Sequence, residues 1–300
     1  MSELYPDLIN SIKAMIERSE FEYASRAGSD SFLWEHTVYV SSMAMKIAYE
    51  EGVDPLIPVV TALFHDCGKF ENGTYHDGDK PEEETAAEIA AVMLKETGFK
   101  ETDITIVMDS LLSLYNEKRT KNINTRIVHD ADFLVKFGYM GFANFFEKSV
   151  LRGMAISHSI LKAMSKELTY AVCLEQNMFT SSGKKMAISK AKITMNLFKN
   201  YLQELKDAKI AEYDIREVEI KNCNGNSEKM DTKATIPLVL VIPRYCSKCG
   251  MGLQIEFGRD KGIKCEKLIA NIGCASCGQE SEYDFSFCLP ELVAHNEKSG

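Results

Sequence analysis

The period of the hydrophobic pattern changes near residue 207, and no single regular architecture accommodates what lies on both sides of that point. Before it, apolar positions return every three or four residues: Leu33, His36, Val40, Met43 and Ile47 line one face of a helix. PLIPVVTALF is apolar nearly all round, which predicts a central buried helix. Pro81 followed by three glutamates is a good helix start, with acids at the positive end of the dipole, and that helix should stop near Gly98. ETDITIVMDSLLSLY, NINTRIVHDADFLVKF, FANFFEKSVL, SILKAMSKELTYAVCLEQ and KKMAISKAKITMNLFKNYLQEL read as further helices. Beyond residue 207, EYDIREVEI, ATIPLVLVI, LQIEF and EYDFSF read as short strands between turns, with NCNGNSEKMD a polar loop. The chain is therefore predicted to be mainly α, an all-helical domain over 1–207 followed by a small β-rich domain over 208–300.

A length of 300 residues leaves room for one large domain plus a small one, or for two of middling size. No stretch approaches the roughly 18 to 20 uninterrupted apolar residues that a membrane-spanning helix needs. The start, MSELYPDLINSIKAMIERSE, mixes acids with its apolar positions and lacks a cationic beginning, so it does not read as a secretory signal. A cytoplasmic, membrane-free protein is the expectation. The net charge of -9 argues against a sequence-independent grip on nucleic acid, which needs clustered Lys and Arg.

Three places carry chemistry. His36 lies on the apolar face of its helix. His65 and Asp66, in TALFHDCGKF, end the apolar helix that precedes them. IVHDADFL places Asp130 and Asp132 inside another apolar helix. Each has a structural explanation taken singly: a hydrogen-bonded core histidine, an imidazolium near the last carbonyls of a helix, an Asp130–Arg126 pair at four-residue spacing. A divalent cation explains them together, since imidazole nitrogens and carboxylate oxygens are its ordinary donors. Such an ion makes a bound water nucleophilic near neutral pH and neutralises phosphoryl charge.

An early helical His, then HD followed by GK, then an acid in a late apolar helix resembles the HD-domain metal-dependent phosphohydrolase superfamily, in particular its stand-alone bacterial members. The resemblance covers roughly residues 20 to 207 and implies an all-helical HD-domain bundle. It places the metal ligands at His36, His65, Asp66 and one aspartate of HDAD. Asp130 and Asp132 lie about 200° apart on a helix, so only one of them faces the ion. The family writes this element as Ala-Asp-x, which favours Asp132, with Asp130 second. Binuclear relatives carry two more histidines, where this chain has Pro81 and Tyr115; His76 is near the first of these. A single ion (Mn, Fe, Co, Ni, Mg or Zn) is therefore expected. The resemblance also implies that Asp66 orients the attacking water and that Lys69 contacts the phosphate; a solvated lysine is the plain alternative for Lys69. Glu84 reads as a helix-start acid interacting with the dipole, with holding a metal-bound water its second reading.

Of nine cysteines, Cys246, Cys249, Cys274 and Cys277 fall in two CxxC pairs separated by 24 residues. Four thiolates from two turns suit a tetrahedral structural Zn²⁺, and the glycine after each pair suits the tight turn that aims the sulfurs inward. The arrangement resembles a zinc ribbon. Cys265 and Cys288 read as small core residues. Residues 208–300 hold 12 Lys and Arg against 14 Asp and Glu, a near balance that disfavours nucleic acid and leaves homo-oligomer formation or a protein partner as the ribbon's role. The function this predicts is hydrolysis of a phosphorylated small molecule or nucleotide. The alternative is a regulatory or adaptor protein whose HD pocket binds a nucleotide without turnover.

Overall fold

The computed structural model describes residues 5–24, 31–70, 80–114, 122–151, 158–210, 213–221, 235–246, 248–252, 254–257 and 269–284. Among them are nine helices: α1 (Pro6–Ala24), α2 (Phe32–Glu51), α3 (Leu56–Phe64), α4 (Glu82–Glu96), α5 (Glu101–Ser113), α6 (Ile123–Val135), α7 (Gly138–Leu151), α8 (His158–Cys173) and α9 (Ser181–Asp207). Five strands follow: β1 (Tyr213–Lys221), β2 (Thr235–Pro243), β3 (Gln254–Phe257), β4 (Ile269–Gly273) and β5 (Glu280–Asp284). The mainly α reading holds. No helix among the described residues is long and apolar enough to cross a membrane. Strand β4 was not anticipated, because IANIG offers neither apolar–polar alternation nor a β-branched run. NCNGNSEKMD, Tyr115, Cys265 and Cys288 lie outside the described residues.

The chain forms two compact units, one of residues 1–136 with 178–187 and the other of 137–177 with 188–300. These run differently from a division at 207: α7, α8 and most of α9 group with the strands, while the change of sequence texture still falls at 207.

In the first unit α3 is the central helix, packed against α2, α5 and α6. Every residue from Pro58 to Phe64 is buried, as an all-round apolar helix requires. Phe64 alone, fully buried, contributes on the order of 2–3 kcal/mol of transfer free energy. Local chemistry fixes the helix ends. The Ser31 hydroxyl accepts from Trp34 N at 3.0 Å and starts α2, and Gly52, at φ 70°, stops it by donating back to the last carbonyls. Asn122 Oδ1 accepts from Asn124 N at 2.9 Å and starts α6.

The start of α9 is held by two acids. Glu51 Oε1 accepts from Ser182 N at 2.7 Å and from Ser182 Oγ at 2.6 Å, contacts that also lower the Glu51 pKa. Asp130 accepts from Phe179 N at 2.9 Å, from Thr180 N at 2.8 Å and from Thr180 Oγ1 at 2.7 Å. Gly183 packs so closely on this cluster that a Cβ there would lie 2.6 Å from Thr180 Oγ1 and overlap Asp130 Oδ2.

In the second unit β1 and β2 form an antiparallel hairpin that pairs Tyr213 with Pro243, and β3, β4 and β5 form an antiparallel sheet in that order. The core gathers Phe145, Met164, Leu168, Phe198, Leu202, Tyr213, Val239 and Val241. Phe142, Phe146 and Tyr201 add an aromatic cluster with edge-on ring contacts. Helix α8 lies along β2. Val241 N donates to Ser165 Oγ at 2.8 Å, and Val239 N donates to Thr169 Oγ1 at 3.1 Å. Four residues of helix rise about 6 Å and two residues of strand about 6.6 Å, so hydroxyls one helical turn apart match alternate N–H groups of the strand.

Candidate metal centre

Helix α3 runs to Phe64, and the backbone then tightens: Cys67 N donates to Phe64 O at 3.0 Å and Lys69 N to Asp66 O at 3.1 Å. Gly68 makes the turn possible, because a Cβ there would run into the Glu82 carbonyl at the start of α4. The turn keeps His65 and Asp66, each 3% exposed, at the buried end of the helix. His36 enters from α2, its side chain 11% exposed, and the buried Asp132 enters from α6.

The four side chains converge. His36 Nε2 lies 3.6 Å from Asp66 Oδ2 and 3.3 Å from Asp132 Oδ1. His65 Nε2 lies 3.4 Å from Asp66 Oδ2 and 3.9 Å from Asp132 Oδ1. Donors about 2.1 Å from a common ion stand roughly 3.0–3.4 Å apart at octahedral or tetrahedral angles; two of these separations fall in that range and the other two, at 3.6 and 3.9 Å, lie just beyond it. The group whose donor atoms all lie within 4.8 Å of one another is His36, His65 and Asp132; Asp66 reaches both imidazoles but is not in that group.

The tautomer of His65 gives a direct test of fit. Its Nδ1 is 2.6 Å from the Ala62 carbonyl, which can only accept, so Nδ1 carries the proton. In that tautomer Nε2 is the nitrogen left to offer a lone pair to the cluster, the arrangement seen for metal-ligating histidines. That nitrogen is buried and makes no hydrogen bond. A cation satisfies it. Burial, the largest influence, lowers the His36 pKa despite the neighbouring carboxylates, which favours the neutral ligand form. Burial alone would raise Asp66 and Asp132. For Asp66 the protonated forms of His65, Lys69 and His36 outweigh it, and for Asp132 chiefly the Lys136 charge and the His36 hydrogen bond do, so both carboxyls titrate below the usual range.

Asp130 is not part of this cluster: its carboxylate is engaged at the start of α9, and His129 Nδ1 lies 3.2 Å from it. Lys69 is not a solvated lysine, since its Nζ lies 2.6 Å from Asp66 Oδ2. Glu84 is exposed in the first turn of α4. His76 lies outside the described residues. The cysteine between Asp66 and Gly68, Cys67, donates weakly to Leu63 O at 3.7 Å and has its thiol pKa raised by burial, so it is not a reactive thiol. Sequence reasoning missed Lys136, whose Nζ lies 2.7 Å from Asp132 Oδ2; the four-residue spacing between the two was the available signal.

In the second unit the four predicted thiols meet. Cys246 Sγ and Cys277 Sγ are 3.6 Å apart, Cys249 Sγ and Cys274 Sγ 3.4 Å, and all four lie within 4.8 Å of one another. These distances exceed a disulfide and approach the edge of a tetrahedron of sulfurs at 2.3 Å from zinc, about 3.8 Å. The two turns are near copies. Gly250 N donates to Cys246 O and Gly278 N to Cys274 O, at 2.8 and 2.9 Å, with both glycines at positive φ. The Cys277 backbone N–H helps bring the Cys274 thiol down to about 7.

None of the curated proteins matches the chain. Among solved structures, Bacillus subtilis YpgQ is 19% identical, with 69% of this chain and 97% of that one covered and a TM-score of 0.50. YpgQ in complex with ADP (20% identical, 66% and 97% covered) gives 0.49. A predicted HD superfamily hydrolase from an uncultured Thermotogales bacterium (19%, 65% and 91%) gives 0.46. At these identities the likeness is one of fold. Residues 33–135, the segment from α2 to α6 that carries all four converging side chains, match the family model of the HD domain.

Proposed function

We propose that the chain is a metal-dependent phosphohydrolase acting on a phosphomonoester or a nucleotide phosphate, with His36, His65, Asp66 and Asp132 holding one divalent ion. The observation that carries this reading is His65 Nε2: buried, on the ring edge opposite the nitrogen that the Ala62 carbonyl engages, facing Asp66 and Asp132 and lacking a hydrogen bond. The ion, when bound, supplies a Lewis acid that activates water and offsets phosphoryl charge. The protein's own groups do the rest. The Ala62 carbonyl fixes the His65 ring, and Lys69 holds the Asp66 carboxylate in place from 2.6 Å. Asp66 orients the attacking water, and Lys69 steadies the phosphate as a compact point charge.

Cys246, Cys249, Cys274 and Cys277 hold a structural zinc in this reading, and a cytoplasmic setting fits it because thiolates stay reduced there. The ribbon then serves oligomerisation or a protein partner rather than nucleic acid or membrane.

Elemental analysis of the purified protein should give about two divalent ions per chain, falling to about one in His65→Ala and, separately, in Cys249→Ser. Against a panel of phosphate esters, His65→Ala and Asp66→Ala should lose turnover while keeping the wild-type circular dichroism spectrum. Full activity of metal-free Asp66→Ala protein overturns the mechanism. Stoichiometric nucleotide binding by the metal-loaded wild type, with no hydrolysis anywhere in the panel, favours the regulatory reading instead.

A further inference from the structure

Two ammonium groups bracket the donor cluster, and they differ in access. Lys69 Nζ contacts Asp66 Oδ2 and its side chain is 13% exposed; Lys136 Nζ contacts Asp132 Oδ2 and its side chain is 40% exposed. Asp132 divides its two oxygens, Oδ1 facing the imidazoles at 3.3 and 3.9 Å and Oδ2 taking Lys136. Helix geometry sets the reach, since Lys136 caps α6 one turn beyond Asp132. Its Nζ also sits 5.0 Å from the centre of the Phe133 ring, a cation–π contact that holds the ammonium group. A water-accessible cation is thus anchored one carboxylate away from the donor atoms.

The charges at the site make this placement meaningful. Two aspartates and two lysines cancel, and an imidazole that ligates a cation does so as the neutral ring, so a bound divalent ion would leave the site with two positive charges. That matches a phosphate dianion. Without Lys136 half of that surplus is gone.

We propose that Lys136 is a substrate-binding residue that contacts the phosphate anion, and that with Lys69 it balances the ligand carboxylates so that the cation's charge remains available to that anion. This rests on the phosphohydrolase reading for the identity of the anion. The alternative role, merely positioning Asp132, differs in sign. A lost positioning contact weakens the cation and the anion together. A lost counter-charge tightens the cation and weakens the anion.

Isothermal titration of the full-length protein separates the two. Mn²⁺ is titrated into apo protein and inorganic phosphate into Mn²⁺-loaded protein, for wild type, Lys136→Met and Lys136→Arg. A unit charge about 6 Å from a doubly charged ion, near solvent and partly screened by salt, changes affinity about five- to tenfold. Lys136→Met should therefore bind Mn²⁺ about five- to tenfold more tightly and phosphate about five- to tenfold more weakly, with Lys136→Arg close to wild type on both. Lys136→Gln serves as the neutral variant should Lys136→Met fold poorly by circular dichroism. Unchanged phosphate affinity in the neutral variant, or parallel weakening of both ligands, overturns the proposal. A wild type that binds Mn²⁺ and phosphate with the stated Lys136 dependence yet hydrolyses no ester defeats the hydrolase reading and leaves the role of Lys136 standing. A wild type that hydrolyses esters while Lys136→Met keeps its phosphate affinity does the reverse.

Discussion

Gly183 is the third residue of α9, and replacing it with alanine sets helix propensity against a specific contact. In an exposed helix this change stabilises by about 1 kcal/mol. Here the new methyl group would lie 2.6 Å from Thr180 Oγ1 and overlap Asp130 Oδ2. Neither atom is the loose end of a side chain. Asp130 is fully buried and accepts from Phe179 N, Thr180 N and Thr180 Oγ1, while Thr180 Oγ1 also accepts from Gly183 N at 3.0 Å. Making room breaks about two hydrogen bonds to a carboxylate, each worth roughly 1.5–3 kcal/mol. Set against the propensity gain, the net loss is about 2–5 kcal/mol. Equilibrium urea unfolding followed by circular dichroism measures it. The Asp130→Ala background supplies the control: with the carboxylate gone the methyl group meets space, so Gly183→Ala should there cost little or stabilise. A single Gly183→Ala variant as stable as wild type would refute the claim that Asp130 is committed to the start of α9, and would return it to contention as the fourth metal ligand.

Three further outcomes follow, two from the titrating groups and one from the strand edge. His36 has its pKa lowered by burial, so below its ordinary value of 6.5 the unfolded chain binds more protons than the folded one, and stability of the metal-free protein falls from about pH 7 toward pH 5; Asn at position 36 should flatten that limb of a ΔG-against-pH curve. Asp66 and Asp132 have lowered pKa values, so their contribution is present above the ordinary value of 3.8 and is lost as pH falls below it, and Asp132→Asn should reduce the slope in that acid window. Thr169→Val keeps the shape of the side chain but leaves the buried Val239 N–H without its acceptor; urea unfolding should show a loss of about 1–3 kcal/mol, and a neutral result would mean the N–H finds another partner.

The helical half of the chain was legible because its apolar stripes repeat without ambiguity, and α3 because no polar face interrupts it. Asp66 and His65 stood out because a buried helix ended in groups that need partners. The tautomer of His65 was not legible, since the atom that decides it is the Ala62 carbonyl, a backbone group present at every position. Periodicity left Asp130 and Asp132 equivalent, because both flank the same stripe; what distinguishes their placement is the turn at 178–180, some 50 residues away. Lys136 carried a spacing signal but sits in a segment whose apolar neighbours drew the reading toward packing. The grouping of α7 and α8 with β2 was hidden for a different reason. It rests on a core that Phe145, Met164 and Leu168 share with Val239 and Val241, and for α8 also on the hydroxyls of Ser165 and Thr169, whose helix looks ordinary from its own residues.

Those two hydroxyls have a consequence for how the chain behaves in company. Between Pro237 and Pro243, strand β2 runs through five uncharged aliphatic residues, LVLVI, whose backbone is the kind an incoming strand can pair with. Its bare margin at positions 239 and 241 is occupied by a helix that supplies the missing acceptors and cannot itself be extended. Loosening α8 would therefore bare the Val239 and Val241 N–H groups to an incoming strand, an event separate from any change at His36, His65, Asp66 or Asp132.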